Sequence, residues 1–298
     1  MKLGIILYIY LSFLSVNLCQ AHNPWGFFAH RQINYHAVFF LPEQIHPFFR
    51  KHIEFISEHA VDPDKRRHAV KEEAARHYID LDHYGSDLDS LKKNFPRSWD
   101  AAVSQYSEDT LKAYGIAPWN AYRFYFNMVE AFKGKDLDKL LQALADFGHY
   151  VGDMHVPLHT TENYNGQLTG QDGIHGFWES RLPELYFDSY DLSVESAKYV
   201  ERPLALFWDI IFESHRNMPI VLGEEKKLAQ KFGGSQFTYE ERGQSTTKTY
   251  SESYSQAYHE NLNGMVEERL RASVFHLACL WYSAWVDAGQ PDLEKFDN

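Results

Sequence analysis

One segment, residues 137–159, combines the clearest helical pattern of the chain with an unusual group of polar residues. Apolar and small residues recur at helical spacing, at positions 140, 141, 144, 145, 147 and 148. His149 and Asp153 are four residues apart, so on one helix they project only about 40° apart and can reach a single ion or a bridged pair. Pro157 ends the helix, which allows His159 to fold back toward the same place. The segment therefore predicts a helix that ends in metal-binding side chains.

The remainder of the chain after residue 22 shows similar periodicity and little of the alternation that marks strands. Further helices are predicted over 33–40, where Pro42 stops the pattern, and over 100–114, 121–132 and 265–286. Two segments, 163–173 and 233–255, are rich in Gly, Asn, Gln, Ser, Thr or Glu and are predicted to be loops. These patterns predict an all-α fold, with residues 22–298 forming a single multi-helix domain.

Composition excludes several classes of protein. With 44% hydrophobic and 16% aromatic residues, the chain is not of the disordered type. It has 41 acidic and 29 basic residues and a formal net charge of −12, so it lacks the basic footprint of a general nucleic-acid binder. No stable complex with nucleic acid is therefore expected. The 16 histidines among 298 residues are an unusually high number, and several stand at metal-ligand spacings.

The first 21 residues have the features of a secretory signal peptide. Lys2 is followed by an almost wholly apolar stretch over 3–18, and Ala21 offers a cleavage site. A transmembrane anchor is the alternative, but the stretch is short and no basic cluster follows it. We therefore expect an exported protein, periplasmic or secreted. Its mature form would keep only Cys279, so its stability would come from packing or metal rather than disulfides.

Other histidines and carboxylates have spacings that suit a metal ion. His175 and Glu179 are four residues apart, sixteen residues after His159, and imidazole with carboxylate at this spacing suits Zn²⁺. A single His–carboxylate pair at this spacing is more often made of ordinary polar residues on a helix surface than of metal ligands. Asp62-Pro63-Asp64 by itself is compatible with a plain turn. The weaker upstream candidates are Trp25, His30, Asp62 and His77. Several sets in one chain favour metal binding.

Taken in order, these residues follow one pattern: Trp-x4-His, an Asp, a His about fifteen residues later, His-x3-Asp-x5-His, and finally His-x3-Glu. This order resembles the zinc-dependent phospholipase C and S-one/P-one nuclease superfamily. The resemblance covers nearly the whole chain from Trp25 to the closing helix. Its most specific part is 149–159, with the ending Gly-Asp-Met-x-x-Pro-Leu-His. It implies an all-helical fold that holds up to three zinc ions in a cleft.

The resemblance also implies the ligands. They are Asp62, His77 and His149 for one zinc, with Asp153 as the bridging carboxylate; His159, His175 and Glu179 for a second; and Trp25 and His30, with Asp153, for the third. Asp62 and Asp153 are the expected catalytic residues. By the same analogy, Asp62 is near enough to the attacking water to orient or deprotonate it.

The N-terminus departs from the superfamily pattern. There, the tryptophan is the first mature residue and binds zinc through its α-amine and carbonyl. Cleavage after Ala21 would leave His22-Asn23-Pro24 ahead of Trp25, whose nitrogen would then be a peptide N–H and no ligand. The alternatives are further trimming, a third zinc that is weaker, absent or differently held, and substitution by His22.

The implied activity is hydrolysis of a phosphodiester, because carboxylate-bridged zinc ions activate water and neutralise developing charge on phosphate. The compact segment between His159 and His175 favours the phospholipase C type, whereas His77-Tyr78-Ile79-Asp80 is closer to the nucleases. We expect phospholipase C-like action on a lipid headgroup, with membrane contact only through the substrate. A single-strand nuclease or 3′-nucleotidase acting on nucleic acid or nucleotides is the alternative.

A third hypothesis is a non-catalytic, zinc-stapled binding protein. It is disfavoured because the second zinc has only three protein ligands, which leaves a coordination position open. His155 is expected to be no ligand. Six aromatic residues flank the candidate ligands and are either core or stacking surfaces: Tyr78, Tyr84, Tyr150, Tyr164, Phe177 and Trp178. Five nearby cations are candidates for phosphate contact or for a solvated surface: Arg66, Arg67, Lys71, Arg76 and Arg181.

N-terminal sequencing of the mature protein, combined with metal analysis, tests the third zinc. A chain that starts at Trp25 is expected to hold three zinc ions, because its free α-amine is available as a ligand. A chain that starts at His22 is expected to hold two, or an altered third site. Three tightly bound ions in a chain that starts at His22 would contradict the α-amine assignment.

Overall fold

The computed structural model describes residues 26–134, 136–242 and 245–296, so the predicted signal peptide and Trp25 lie outside the described residues. The helices are α1 Phe27–Ala37, α2 His46–Lys51, α3 Ile53–Glu58, α4 Asp62–Arg66, α5 Leu81–Tyr84, α6 Leu88–Asn94, α7 Trp99–Tyr106, α8 Glu108–Ala113, α9 Ala117–Gly134, α10 Leu137–Met154, α11 Ile174–Gly176, α12 Leu182–Tyr186, α13 Pro203–Phe232, α14 Glu252–Asn261 and α15 Met265–Asp287. The chain also forms 3-10 turns at Val38–Phe40, His59–Val61, Ala74–Arg76, Pro157–Thr160, Phe187–Ser189 and Leu293–Phe296, and a π-helical turn at Phe177–Arg181. The fold is mostly helical, as predicted.

The helix predicted within the segment 137–159 is α10. Its first turn is capped by the side chain of Asp136, which accepts a hydrogen bond from the backbone N–H of Lys139 at 3.1 Å. Beyond its last residue, Pro157 starts the 3-10 turn that carries His159. The helix contacts α1, α3, α9, α13 and α15, and its apolar face is buried as the periodicity predicts. The predicted helices over 121–132 and 265–286 lie within α9 and α15.

The predicted helix over 100–114 is interrupted. The backbone of Ser107 is left-handed, with φ of 69°, and divides the segment into α7 and α8. The side chain of Ser107 accepts a hydrogen bond from the N–H of Thr110 at 3.3 Å and so caps α8. The apolar spacing continues across this break, which is why the periodicity alone did not show it.

The prediction of a loop over 233–255 is wrong. Strands β1, Phe237–Arg242, and β2, Ser245–Tyr250, form an antiparallel hairpin, and α14 begins at Glu252. Phe237 pairs with Tyr250, which is buried and stacks on Phe177 at 3.8 Å between ring centroids. The hairpin therefore forms because a few aromatic side chains pack on the helical body, although most of its residues are polar. The other predicted loop, 163–173, is a series of turns.

Two helices hold the C-terminal end of α10, where the backbone carbonyl groups lack partners within the helix. Ser214, on α13, donates a hydrogen bond to the carbonyl oxygen of Met154 at 2.6 Å. Arg269, on α15, is buried and donates from Nε to the carbonyl oxygen of His155 at 3.0 Å. Helix α13 was not among the predicted helices, yet it fixes the end of the helix that carries the candidate site.

The buried apolar side chains form one cluster that extends from Ala29 to Phe296. Cys279 is buried and free. Within the described ranges, no helix is both long enough and apolar enough to cross a bilayer.

Two glycines of α10 allow α1 to approach closely. A Cβ atom on Gly148 would lie 1.9 Å from Oδ1 of Asn34, and one on Gly152 would lie 2.8 Å from Nδ1 of His30. Asn34 is buried and donates to the carbonyl oxygens of Ile56 and Ala145. The small residues therefore bring a buried amide and a candidate ligand on α1 into contact with α10.

Replacing Gly148 by Ala is expected to reduce the free energy of unfolding by about 1–3 kcal/mol, the usual cost of overpacking. The added methyl group would overlap Asn34 and push α1 from α10. Urea unfolding followed by circular dichroism measures the change.

The matched control is Gly223→Ala on α13, where a Cβ atom has no neighbour within 4 Å. It is expected to stabilise the protein by about 0.5–1 kcal/mol through helix propensity. Equal unfolding free energies for the two variants would contradict the close approach at Gly148.

Candidate metal centre

The structure brings together three sets of potential metal ligands, in each of which the ligand atoms lie within 4.8 Å of one another. The sets are His30, Asp64 and His149; His77, His149 and Asp153; and His159, His175 and Glu179. They come from helices α1, α4, α10 and α11, from the π-helical turn, from the 3-10 turn after α10, and from the residue that follows the turn Ala74–Arg76. Of the predicted ligands, His30, His77, His149, Asp153, His159, His175 and Glu179 are members of these sets.

Asp153 lies between two pairs of histidines. Its Oδ2 atom is 2.9 Å from Nδ1 of His77 and 3.2 Å from Nε2 of His149. Its Oδ1 atom is 3.4 Å from Nε2 of His30 and 3.4 Å from Nδ1 of His159. Oδ2 thus faces ring nitrogens of His77 and His149, and Oδ1 faces that of His30, which is an arrangement that a bridging ligand can use. The contact with His159 is made by Nδ1, the nitrogen that donates to the carbonyl oxygen of His77.

Backbone carbonyl groups fix the orientation of two imidazoles. His149 donates from Nδ1 to the carbonyl oxygen of Ala60 at 2.9 Å, and His159 donates from Nδ1 to that of His77 at 2.8 Å. The Nε2 lone pair of each neutral ring then points into the cluster. Histidines that bind metal ions typically donate their other N–H in this way.

The set formed by His159, His175 and Glu179 lies on the more open side. The two Nε2 atoms are 2.9 Å apart, and Oε2 of Glu179 is 3.3 Å from that of His159 and 2.9 Å from that of His175. The side chains of His175 and Glu179 are 21% and 19% exposed, whereas that of His159 is 8% exposed. The turn that carries Glu179 is anchored by Phe177 on Tyr250.

His30 meets the cluster from α1. Its ring stacks on that of His149 with 3.9 Å between centroids, and Gly152 leaves room for it. Gly26, the first described residue, is also close, because a Cβ atom on it would lie 3.3 Å from Oε1 of Glu179. Trp25 lies outside the described residues, so its assignment as a ligand stays a prediction.

Asp62 is not a member of the three ligand sets, whereas Asp64, two residues later, is. Asp62 accepts hydrogen bonds from Lys65 at 2.9 Å and pairs with Nδ1 of His59 at 2.6 Å, away from the ligand sets. Oδ1 of Asp64 lies 3.7 Å from both Nδ1 of His77 and Nε2 of His149. Two residues apart on a helix means roughly 200° of rotation, so only one of the two carboxylates can face the histidines.

The charged groups of the cluster shift one another's pKa values. Burial alone would raise the pKa of Asp153, but His149, His159 and His77 hold it well below its ordinary value. Burial would lower the pKa of His149, but Asp153 and Asp64 raise it to about 9. For His77 the burial dominates and lowers the pKa. The cluster therefore favours ionised carboxylates surrounded by imidazoles.

The donor set fits a divalent cation such as Zn²⁺. Asp153 is 2% exposed, and in the described part of the chain its ion-pair partners are all histidines. An ionised carboxylate buried without a cation is costly. Imidazole nitrogens and carboxylate oxygens are preferred zinc ligands. Metal ions in these sets would take over the positive charge that protonated histidines otherwise supply, with the imidazoles binding in their neutral form.

Most of the nearby cations are committed to carboxylates. Arg66 binds Asp146 through two hydrogen bonds of 3.2 and 2.7 Å. Arg76 donates to Glu73 at 2.6 Å. Two more arginines pair in the same way, Arg181 with Glu240 and Arg67 with Asp64. Lys71 is exposed.

Of the aromatic residues that flank the candidate ligands, some are buried in the core and others are accessible at the surface. Tyr150, Phe177 and Trp178 are buried, which favours a packing role. Tyr164 is 51% exposed and packs edge-on against His175 with 5.7 Å between centroids. Tyr78 and Tyr84 are half-buried.

His155 is not a member of the three ligand sets. It is buried and pairs with Nδ1 of His276 at 2.8 Å. Two carboxylates near the histidines were not predicted as site residues: Asp64 and Glu73, a buried carboxylate near His77. Glu73 has a detectable signal, since it precedes His77 by four residues, the spacing that singled out the other pairs.

A scan against protein-family models gives no match for this sequence, and a comparison with curated proteins gives none either.

Replacing Asp64 by Asn is expected to weaken zinc binding by at least about 100-fold, because even substitutions outside the ligand shell cost about 10–100-fold. Asp62→Asn is the matched control and is expected to bind zinc within about threefold of the wild type, since its partners lie outside the ligand sets. Competition titration with a chromogenic chelator measures both affinities. A larger loss in Asp62→Asn than in Asp64→Asn would reverse the assignment.

Proposed function

We propose that this protein is an exported, zinc-dependent hydrolase of phosphodiesters, related to the phospholipase C and S-one/P-one nuclease superfamily. The observation that carries the proposal is the position of Asp153, whose Oδ2 faces ring nitrogens of His77 and His149 and whose Oδ1 faces Nε2 of His30. A carboxylate in this position can bridge two metal ions. Paired, bridged ions are a recurrent solution for in-line displacement at phosphorus.

Each ligand set has its own task in this proposal. Asp64, His77, His149 and Asp153 would hold one zinc ion; His159, His175 and Glu179 a second; and His30 would contribute to a third. When bound, zinc lowers the pKa of a coordinated water and offsets negative charge on the phosphate. Asp64 is 19% exposed at its side chain, so it is placed to orient the attacking water and to accept its proton.

The open side of the cluster supports catalysis over a purely structural role. His175, Glu179 and Asp64 are the more exposed members. The set His159, His175 and Glu179 has three protein donors, while structural zinc sites are usually closed by four. A position for water or substrate is therefore available where the cluster meets solvent.

The pairing of the nearby arginines bears on the substrate. Because Arg66, Arg76 and Arg181 already bind carboxylates, this side of the molecule offers little free positive charge for the successive phosphates of a nucleic acid. We therefore propose a substrate with a single phosphodiester group, and favour a phospholipid headgroup. A phosphate can still be drawn to the cluster by the metal charge, although the protein as a whole is acidic.

Hydrolysis by the purified protein, with and without chelator, tests the proposal. Phosphatidylcholine, single-stranded DNA, RNA and a chromogenic phosphodiester are the substrates. We expect chelator-sensitive turnover, restored by zinc, and faster cleavage of phosphatidylcholine than of either nucleic acid. Chelation should also lower the melting temperature, since an ion present at about 100 times its Kd stabilises a fold by about 2.7 kcal/mol.

The outcomes separate the hypotheses. Faster cleavage of single-stranded DNA or RNA would favour the nuclease alternative and overturn the phospholipid preference. Bound zinc without turnover on any of these substrates would favour the zinc-stapled binding protein. Asp153→Asn is expected to abolish turnover and reduce the zinc content, with Asp62→Asn as the control that retains both. An active Asp153→Asn variant with full zinc content would contradict the bridging role.

A further inference from the structure

A buried carboxylate lies behind one of the candidate ligands. Glu73 is completely buried, and its Oε1 atom lies 3.8 Å from Nε2 of His77. This nitrogen points away from Asp153, and among the described residues it has no hydrogen-bond partner. Burying an ionised carboxylate is costly unless its position is supported by partners.

Glu73 is held firmly from its other sides. Tyr150 donates its hydroxyl hydrogen to Oε1. Arg76 donates to Oε2 at 2.6 Å, and Nε of Arg66 lies 3.8 Å from the same oxygen. A carboxylate oxygen can accept two hydrogen bonds, so Oε1 keeps acceptor capacity on the side of His77. The network fixes where the negative charge sits relative to the imidazole.

His77 is the one ligand of its set whose Nδ1 atom faces the cluster. Nδ1 lies 2.9 Å from Oδ2 of Asp153 and 3.0 Å from Nε2 of His149. The ring of Tyr150 packs against His77 at a centroid distance of 5.5 Å. To bind a metal ion through Nδ1, the neutral imidazole must carry its hydrogen on Nε2, next to Glu73.

The partners of two other histidines indicate what Glu73 does for His77. His149 and His159 donate Nδ1–H to backbone carbonyl oxygens, which selects their tautomers. Nε2 of His77 has no such backbone partner among the described residues, but Oε1 of Glu73 lies 3.8 Å away and can act on it through its charge. A carboxylate behind a metal-binding imidazole is a common means of fixing tautomer and ring orientation.

We propose that Glu73 is a positioning residue for the metal centre. Held by Arg76 and Tyr150, it keeps His77 in the tautomer with hydrogen on Nε2 and directs the Nδ1 lone pair at the ion. This inference rests on the proposed metal-binding function. It also accounts for Arg66 and Arg76, two of the cations that the sequence analysis placed near the site.

The experiment compares Glu73→Gln with Asp146→Asn. Asp146 is also buried and also binds Arg66, but its hydrogen-bond partners are Arg66 and Gln142 rather than a ligand ring. Zinc affinity is measured by titration of chelator-treated full-length protein, and folding by circular dichroism. We expect affinity to fall 10–100-fold in Glu73→Gln, to recover partly in Glu73→Asp, and to change less than threefold in Asp146→Asn.

A second measurement avoids dependence on the variants. Nitrogen-15 NMR of zinc-loaded wild-type protein is expected to show hydrogen on Nε2 and the ion on Nδ1 of His77. An ion on Nε2, or equal affinities for Glu73→Gln and Asp146→Asn, would overturn the role of Glu73 while leaving a zinc-binding wild type intact. A wild type that binds no zinc would instead refute the proposed function itself.

Discussion

The burial of one negative charge constrains the rest of the molecule. Asp153 is 2% exposed and surrounded by four imidazoles. A carboxylate removed from water needs positive charge close by, and the described structure provides it through histidines rather than through Lys or Arg. The same imidazoles, when neutral, present ring nitrogens that could bind a metal ion, and the ion would then take over the charge that the protonated rings supply.

Several elements distant in sequence serve this one position. Gly148 and Gly152 let α1 approach α10 closely, which brings His30 to the cluster. The end of α10 is held by hydrogen bonds from α13 and α15 to its last carbonyl groups. Behind the cluster, half-buried arginines pair with buried carboxylates, so their charge is not free to form a basic surface. Consequently the positive charge that a substrate would meet in the proposed enzyme comes mainly from metal.

The helical fold could be predicted because each long helix buries one apolar face, and that face repeats with the helical period in the sequence. The interruption at Ser107 and the hairpin over 237–250 could not. Ser107 adopts a left-handed backbone without changing the apolar spacing. The hairpin is polar along most of its length and depends on Tyr250 packing against Phe177, a contact between segments about 70 residues apart.

The sequence by itself determined most members of the three candidate ligand sets, because residues four apart share one face wherever the segment is helical. His149 with Asp153 and His175 with Glu179 are of this kind. Only the tertiary structure decided between Asp62 and Asp64, since neighbouring carboxylates on a helix point in opposite directions and the chain pattern does not say which direction is inward. It also placed Glu73 behind His77, a relation set by packing against α10 rather than by sequence spacing alone.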